Sequence, residues 1–185
     1  MTDKDFEYVN GYYRSAAIVT PALVLALTLL AACGGKTGDS AETAQTPLLT
    51  AATIGEQSIL TASEFLSQAP YAAANLQDGQ NQARICTACH SMAKGGVNMI
   101  GPNLYGFFGK QVGTVAGFGY SKAIENADFV WTPRVLDAWL VQPGRFLPGN
   151  RMSFAGVGDA DDRADLIAFL LTATDDSNDD NNERK

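Results

Sequence analysis

Five residues, Cys86-Thr87-Ala88-Cys89-His90, decide how the rest of this chain is read. Positions three apart share one face of a helix, so the two thiols project from a single turn, with an imidazole immediately after them. A structural zinc site wants four Cys or His ligands, but His90 is the only histidine and the one other cysteine, Cys33, lies far upstream. A thioredoxin-like dithiol wants a strand–helix–strand setting, and no segment here alternates apolar and polar residues with period two. C-x-x-C-H is instead the attachment signature of c-type haem. Both sulfurs can add across the two vinyl groups of one haem edge. His90 then lies under the ring with a nitrogen on the iron, a neutral His being the usual proximal ligand.

The flanking sequence fits an all-α domain. Helix-compatible spacing runs from Leu76 to Cys89, with Leu76, Ala83, Ile85 and Cys86 as its apolar positions. Gly95-Gly96 and Gly101-Pro102-Asn103 break the chain after it. Ser121 to Asn126 can form a short helix. Thr132-Pro133 pairs an N-cap with proline at the first helical position, and Val135, Leu136, Trp139 and Leu140 follow until Gln142-Pro143-Gly144. Asp159 to Ala173 carries Ala164, Ile167, Ala168 and Leu171 on one stripe, with Leu166, Phe169 and Leu170 beside it. The expectation is four or five short helices joined by long Gly/Pro loops and wrapped around one covalent haem. About a hundred residues bury a limited core, so Phe107, Phe108, Phe118, Tyr120, Phe146 and Phe154 need a large apolar partner such as a haem to pack on.

A second axial ligand cannot be a histidine from this chain. Met92 is too close to His90 to reach the opposite ring face, and Met1 lies at the start of a signal-like segment, which leaves Met99 and Met152. Met152 stands in Pro148-Gly149-Asn150-Arg151-Met152-Ser153-Phe154-Ala155-Gly156. Here, and through Gly101-Pro102-Asn103-Leu104-Tyr105-Gly106, Gly117-Phe118-Gly119-Tyr120-Ser121, Trp131 and the block 163–170, the sequence resembles the class I cytochromes c, from about Asp78 to Thr172. The resemblance implies the class I fold and a set of roles. Met152 brings its sulfur to the iron opposite His90. The carbonyl of Pro102 accepts a hydrogen bond from the other His90 nitrogen, fixing its tautomer. Tyr120 and Trp131 donate to a buried haem propionate. Gly79, Leu166 and Phe169 form the crossing of the first and last helices. Two positions depart from the family pattern: Lys110 stands where an Arg near a propionate is common, and Trp139 where mitochondrial members carry a Tyr whose hydroxyl contacts the methionine sulfur. The expectation is that the indole N–H falls short of that sulfur, leaving an altered potential or a more labile iron–Met152 bond.

Upstream, residues 16–32 form a run of 17 positions without a charge, preceded by Arg14 and ending Leu30-Ala31-Ala32-Cys33. As a helix the run would reach about 26 Å, a little short of a hydrocarbon core of about 30 Å. Its form is that of an export signal, and its end resembles the lipobox of bacterial lipoproteins, in which Cys33 is acylated and becomes the first mature residue. An uncleaved anchor is the other reading, and both tether the chain. The stretch before Arg14 carries Asp3, Asp5 and Glu7, a departure from a strongly basic leader. The organisation read from the sequence is a signal segment over 1–32, a tether and extension over 33–74, a haem domain over 75–173 and an acidic disordered tail over 174–185. Within 33–74, a short helix over Glu64 to Gln68 is expected with Ser63 as cap, in a stretch that packs on the neighbouring domain.

Charge adds to the picture. The net charge is −7, yet residues 75–173 hold eight basic and eight acidic side chains, so the excess sits in the flanks. Such a balance argues against nucleic-acid binding, which needs cations to neutralise phosphates. A neutral domain should also dock on redox partners with weak salt dependence. The reading is therefore a non-enzymatic one-electron carrier in the bacterial periplasm, held to a membrane through a lipid on Cys33. Its expected partners are redox proteins such as a quinol-oxidising complex, a dehydrogenase or a terminal oxidase. A fixed haem subunit of a periplasmic dehydrogenase or oxidase complex is the alternative, with 54–75 as its interface. Peroxidase-like chemistry through loss of Met152 would need an open iron position that nothing in the sequence requires.

Overall fold

The computed structural model describes residues 49–177. The signal segment, Cys33, the first part of the tether and the tail from 178 onward lie outside the described residues. Within them the elements run α1 (Ala62–Leu66), a 3₁₀ turn (Tyr71–Ala73), α2 (Leu76–Thr87), α3 (Lys122–Glu125), α4 (Pro133–Val141), α5 (Pro143–Phe146) and α6 (Ala160–Ala173). An isolated antiparallel bridge pairs Gln111 with Val130. Among the described residues no helix is long and apolar enough to cross a membrane.

Every α-helix described except the one-turn α5 starts where a side chain satisfies some of its free N–H groups. Asn75 accepts from the N–H groups of Gln77 and Asp78, Ser121 from Ile124, Thr132 from Val135, and Asp159 from Asp161 and Asp162. Two expectations need correction. The cap of α1 is Thr61, not Ser63: the Thr61 hydroxyl accepts from the Glu64 N–H while the Glu64 carboxylate accepts from the Thr61 N–H, a reciprocal capping box. Pro143-Gly144 does not simply stop α4. An extended Gln142 ends that helix and Pro143 opens the one-turn α5.

The core joins α2, α4, α5 and α6, with Phe129, Val135, Leu166, Ile167 and Leu171 fully buried. Arg163 is buried too, yet fully satisfied. Its Nε donates to Asp137 Oδ1 at 2.7 Å, and its Nη1 donates to the carbonyls of Val157, Gly158 and Asp159 at 3.0–3.1 Å. A charge buried with this many partners costs little, and it ties the entry of α6 to α4.

α2 and α6 cross at Gly79. A Cβ there would stand 2.1 Å from the Asp165 carbonyl oxygen and 2.9 Å from the Phe169 Cβ, so backbone lies against backbone. The Asn75 N–H also donates to Asp165 Oδ1 at 2.7 Å. Gly79→Ala must push the two helices apart. The expected loss, read from guanidinium melts of the haem-loaded protein, is about 3 kcal/mol, the upper end of typical overpacking costs.

Ordered structure lies on both sides of the span from α2 to α6. Ile54 is buried in the core, and the 49–57 segment hydrogen-bonds to the domain. After α6, Thr174 is buried, its carbonyl accepts from the Gly106 N–H at 2.7 Å, and Asp176 pairs with Lys110 at 3.3 Å. The acidic tail therefore begins with residues that fold back on the domain.

Candidate functional site

α2 ends in the attachment turn. The carbonyl of Cys86 accepts from the N–H groups of both Cys89 and His90, at 3.0 and 2.9 Å, so helical geometry carries through the motif and holds both thiols on one turn. Cys86 and Cys89 are half-buried and free of any disulfide. Burial pushes the Cys86 thiol pKa up. Among the described residues no three His, Cys, Asp or Glu side chains converge on a common point, as a structural zinc ion would require.

His90 is held from two sides. Its Nδ1 lies 2.7 Å from the Pro102 carbonyl oxygen, which leaves Nε2 as the nitrogen available to a metal. Gly101 lies flat against the ring, where a Cβ would come within 2.3 Å of Cε1. The Gly101 N–H donates to the Cys89 carbonyl at 2.8 Å and closes the loop onto the attachment turn. Asn103 and Asn98 brace the loop further: the Asn103 N–H donates to Asn98 Oδ1, and the Asn98 amide donates to the Ala116 carbonyl.

Met152 is half-buried and packs on the core. Its N–H donates to Asn150 Oδ1 at 2.9 Å, and the Asn150 amide donates to the carbonyls of Pro143 and Leu147, both at 2.8 Å. Downstream, Gly156 has φ +103°, a left-handed conformation that favours glycine. A Cβ there would also meet the Val141 carbonyl oxygen at 2.0 Å. That tight passage lets the Val157 N–H reach the Leu140 carbonyl at 2.8 Å.

The expectation for Trp139 is overturned. Its indole Nε1–H reaches the Met152 sulfur at 3.2 Å. The indole is larger than the phenol it replaces, and edge-to-face contacts with Trp131 at 5.3 Å and Phe146 at 5.7 Å aim it. Trp131 in turn stands edge-on to Phe129 and Phe107. Tyr120 Oη accepts from the Val115 N–H at 3.3 Å, and burial raises its pKa. Lys110 is paired with Asp176. Phe107 and Phe146 are buried by protein alone, whereas Phe108, Phe118, Tyr120 and Phe154 stay half-buried.

The donors fit a haem. They comprise two unpaired thiols on one turn, an imidazole with a single free nitrogen and a thioether sulfur, and a metalloporphyrin supplies the remaining iron ligands itself. Comparison with known proteins shows the family. No family model matches the chain. It is, however, 54% identical over 83 residues to cytochrome c of Trypanosoma brucei brucei, covering 45% of this chain and 89% of that protein. Cytochrome c of Chlamydomonas reinhardtii is 48% identical over 89 residues, which is 48% of this chain and 80% of the relative. Cytochrome c2 of Blastochloris viridis is 40% identical over 104 residues, or 56% and 82% of the two chains.

The chain belongs to the cytochrome c family.

It is an electron carrier and not an enzyme, and it carries covalent haem c. The all-α architecture, with its short helices, is that of this family. Much of what positions the site in this cytochrome c is backbone, namely the Pro102 carbonyl on His90 and glycines where the loops pass close, with the Asn150 side chain bracketing Met152.

Proposed function

We propose that this cytochrome c is a membrane-tethered single-electron shuttle whose haem is bonded through Cys86 and Cys89 and whose iron is held between His90 Nε2 and Met152 Sδ. When bound, the haem supplies an iron that alternates between Fe(III) and Fe(II), and a thioether ligand favours the reduced state. The contact of His90 Nδ1 with the Pro102 carbonyl carries the reading, because it fixes the tautomer and raises the basicity of the nitrogen facing the metal. Met99 is poorly placed as the alternative ligand. It is half-exposed, and its N–H donates to the carbonyl of Gly101, the residue packed on the His90 ring. Tyr120 and Trp131 serve as propionate donors. With His90 and Met152 both holding it, the iron would be closed to oxygen and peroxide.

In this reading Cys33 is acylated and holds the domain at a bacterial membrane facing the periplasm, where the tether raises its effective concentration near its partners. A quinol-oxidising complex, a dehydrogenase or a terminal oxidase is the class of partner. Within 54–75, the stretch that a fixed subunit would use as its interface, Ile54 and Gln57 pack on the chain's own domain, which supports a self-contained carrier.

The test is the absorption spectrum of oxidised and reduced protein made with a cytochrome c maturation system. Covalent pigment together with the weak thioether-to-iron charge-transfer band is expected, and pigment without that band overturns Met152 as ligand. Trp139→Phe keeps an aromatic ring, smaller than the indole, and removes the N–H aimed at the sulfur. The sulfur then donates more strongly and favours Fe(III). A fall in potential of roughly 20–60 mV is expected by redox titration, given the modest net strength of one hydrogen bond and about 59 mV per tenfold for one electron.

A further inference from the structure

Residues 49–57 touch one stretch of the domain at both of its ends. The Ala51 N–H donates to the Phe146 carbonyl at 3.1 Å, and Arg134 Nη1 donates to the Ile54 carbonyl at 2.9 Å. Gln57 grips Val130 twice: its Nε2 donates to the Val130 carbonyl at 2.6 Å, and its Oε1 accepts from the Val130 N–H at 2.9 Å. The second pair has a clear cause. Phe129 and Trp131 bond across the bridge through the Phe129 carbonyl and the Trp131 N–H, to Val112 and Lys110 respectively. The two backbone groups of Val130 therefore face the other way, with no strand beside them, and the Gln57 amide offers one donor and one acceptor in the place of that strand. Ile54 sits between these contacts, 5% exposed, in the same buried cluster as Trp139 and Phe146.

The stretch 130–147 gripped in this way carries the indole that meets Met152 and the carbonyls that anchor Asn150, which holds the Met152 N–H. Trp139 donates to its sulfur, and Pro143 and Leu147 receive the Asn150 amide whose oxygen accepts the Met152 N–H. Leu140 anchors the far side of the loop through Val157.

We propose that residues 49–57 form a strap that positions the thioether of Met152, with Gln57 and Ile54 as its positioning residues. The strap rests on the reading of Met152 as an axial ligand. It acts by limiting how far 130–147 can move outward, and hence how often the sulfur leaves the iron.

The test uses full-length, haem-loaded protein. Gln57→Ala removes two hydrogen bonds and leaves the buried Ile54 in place. Thr61→Ala, which breaks the cap of α1 without touching 130–147, controls for general destabilisation. The readouts are the rate at which cyanide displaces the sulfur from oxidised protein and the pH at which the charge-transfer band is lost. Gln57→Ala is expected to raise the cyanide rate about tenfold, the effect of losing roughly one net hydrogen bond, and to lower the pH midpoint by about one unit, with Thr61→Ala like wild type. Ile54→Ala should act in the same direction. A Gln57→Ala protein with wild-type rate and midpoint overturns the strap, as does an equal change in Thr61→Ala. A wild-type protein lacking the band removes the ligand reading itself, an outcome visible before any variant is made.

Discussion

Serine at both Cys86 and Cys89 is expected to give a chain from which acidified acetone extracts all of the pigment, whereas the wild-type protein retains all of it. The two sulfurs are the only thiols among the described residues, so none of those residues offers a substitute thiol near the haem edge. Each single serine variant should keep one thioether bond and so retain its pigment. The double variant should lose structure as well. A domain of this size has little apolar area to spare, and Cys86, Met92, Leu104, Tyr120, Trp131, Met152 and Phe154 are only partly buried by protein. Haem burial would complete that core. Far-UV circular dichroism at 25 °C should show most of the helix signal gone when the double variant is made without added haem. A fully helical, pigment-free variant would show that the polypeptide core suffices alone.

Met152→Ala should move the potential further than any other single change. Replacing a thioether by water or hydroxide removes the ligand that favours Fe(II). Axial ligands tune haem potentials over about 0.8 V, and the expected fall is a few tenths of a volt, on the order of 0.2–0.3 V. The charge-transfer band should vanish while the haem stays attached, because Cys86, Cys89 and His90 are untouched. Carbon monoxide, which the wild-type reduced protein should exclude, should then bind readily. Met99→Ala is the companion measurement: a half-exposed side chain in the loop that packs on His90 should change none of these readouts. If Met99→Ala abolished the band instead, the axial assignment would move to Met99.

Much of this was legible because the deciding signals are local. Thr132-Pro133 and Asp159 cap α4 and α6 as their sequence suggests, and the His90–Pro102 contact joins residues only twelve apart. The cap of α1 was legible too, since Thr61 and Glu64 carry the capping-box spacing, but Ser63 competed as an equally good hydroxyl. Pro143-Gly144 reads as a break because both residues usually are one; its role as the start of another turn depends on Gln142 adopting an extended conformation. What the sequence could not show was tertiary reach. Whether an indole at 139 meets a sulfur at 152 depends on the aromatic wall that aims it. The grip of Gln57 on Val130 spans 73 residues and leaves no periodic trace. The fold-back of Thr174 and Asp176 was hidden in the same way, since an acidic run looks solvated until a Lys110 lies opposite it.

The crossing at Gly79 bears on the speed of electron transfer. Where one main chain rests on another there are no rotamers to adjust, so α6 clamps the helix that leads into the attachment turn. With His90 on the iron, a rigid mount of this kind would keep the ligand geometry nearly the same in both oxidation states. That lowers the reorganisation energy, and with it the thermal barrier to each hop. In the proposed carrier part of that kinetic advantage would trace to the absence of a methyl group eleven residues before His90.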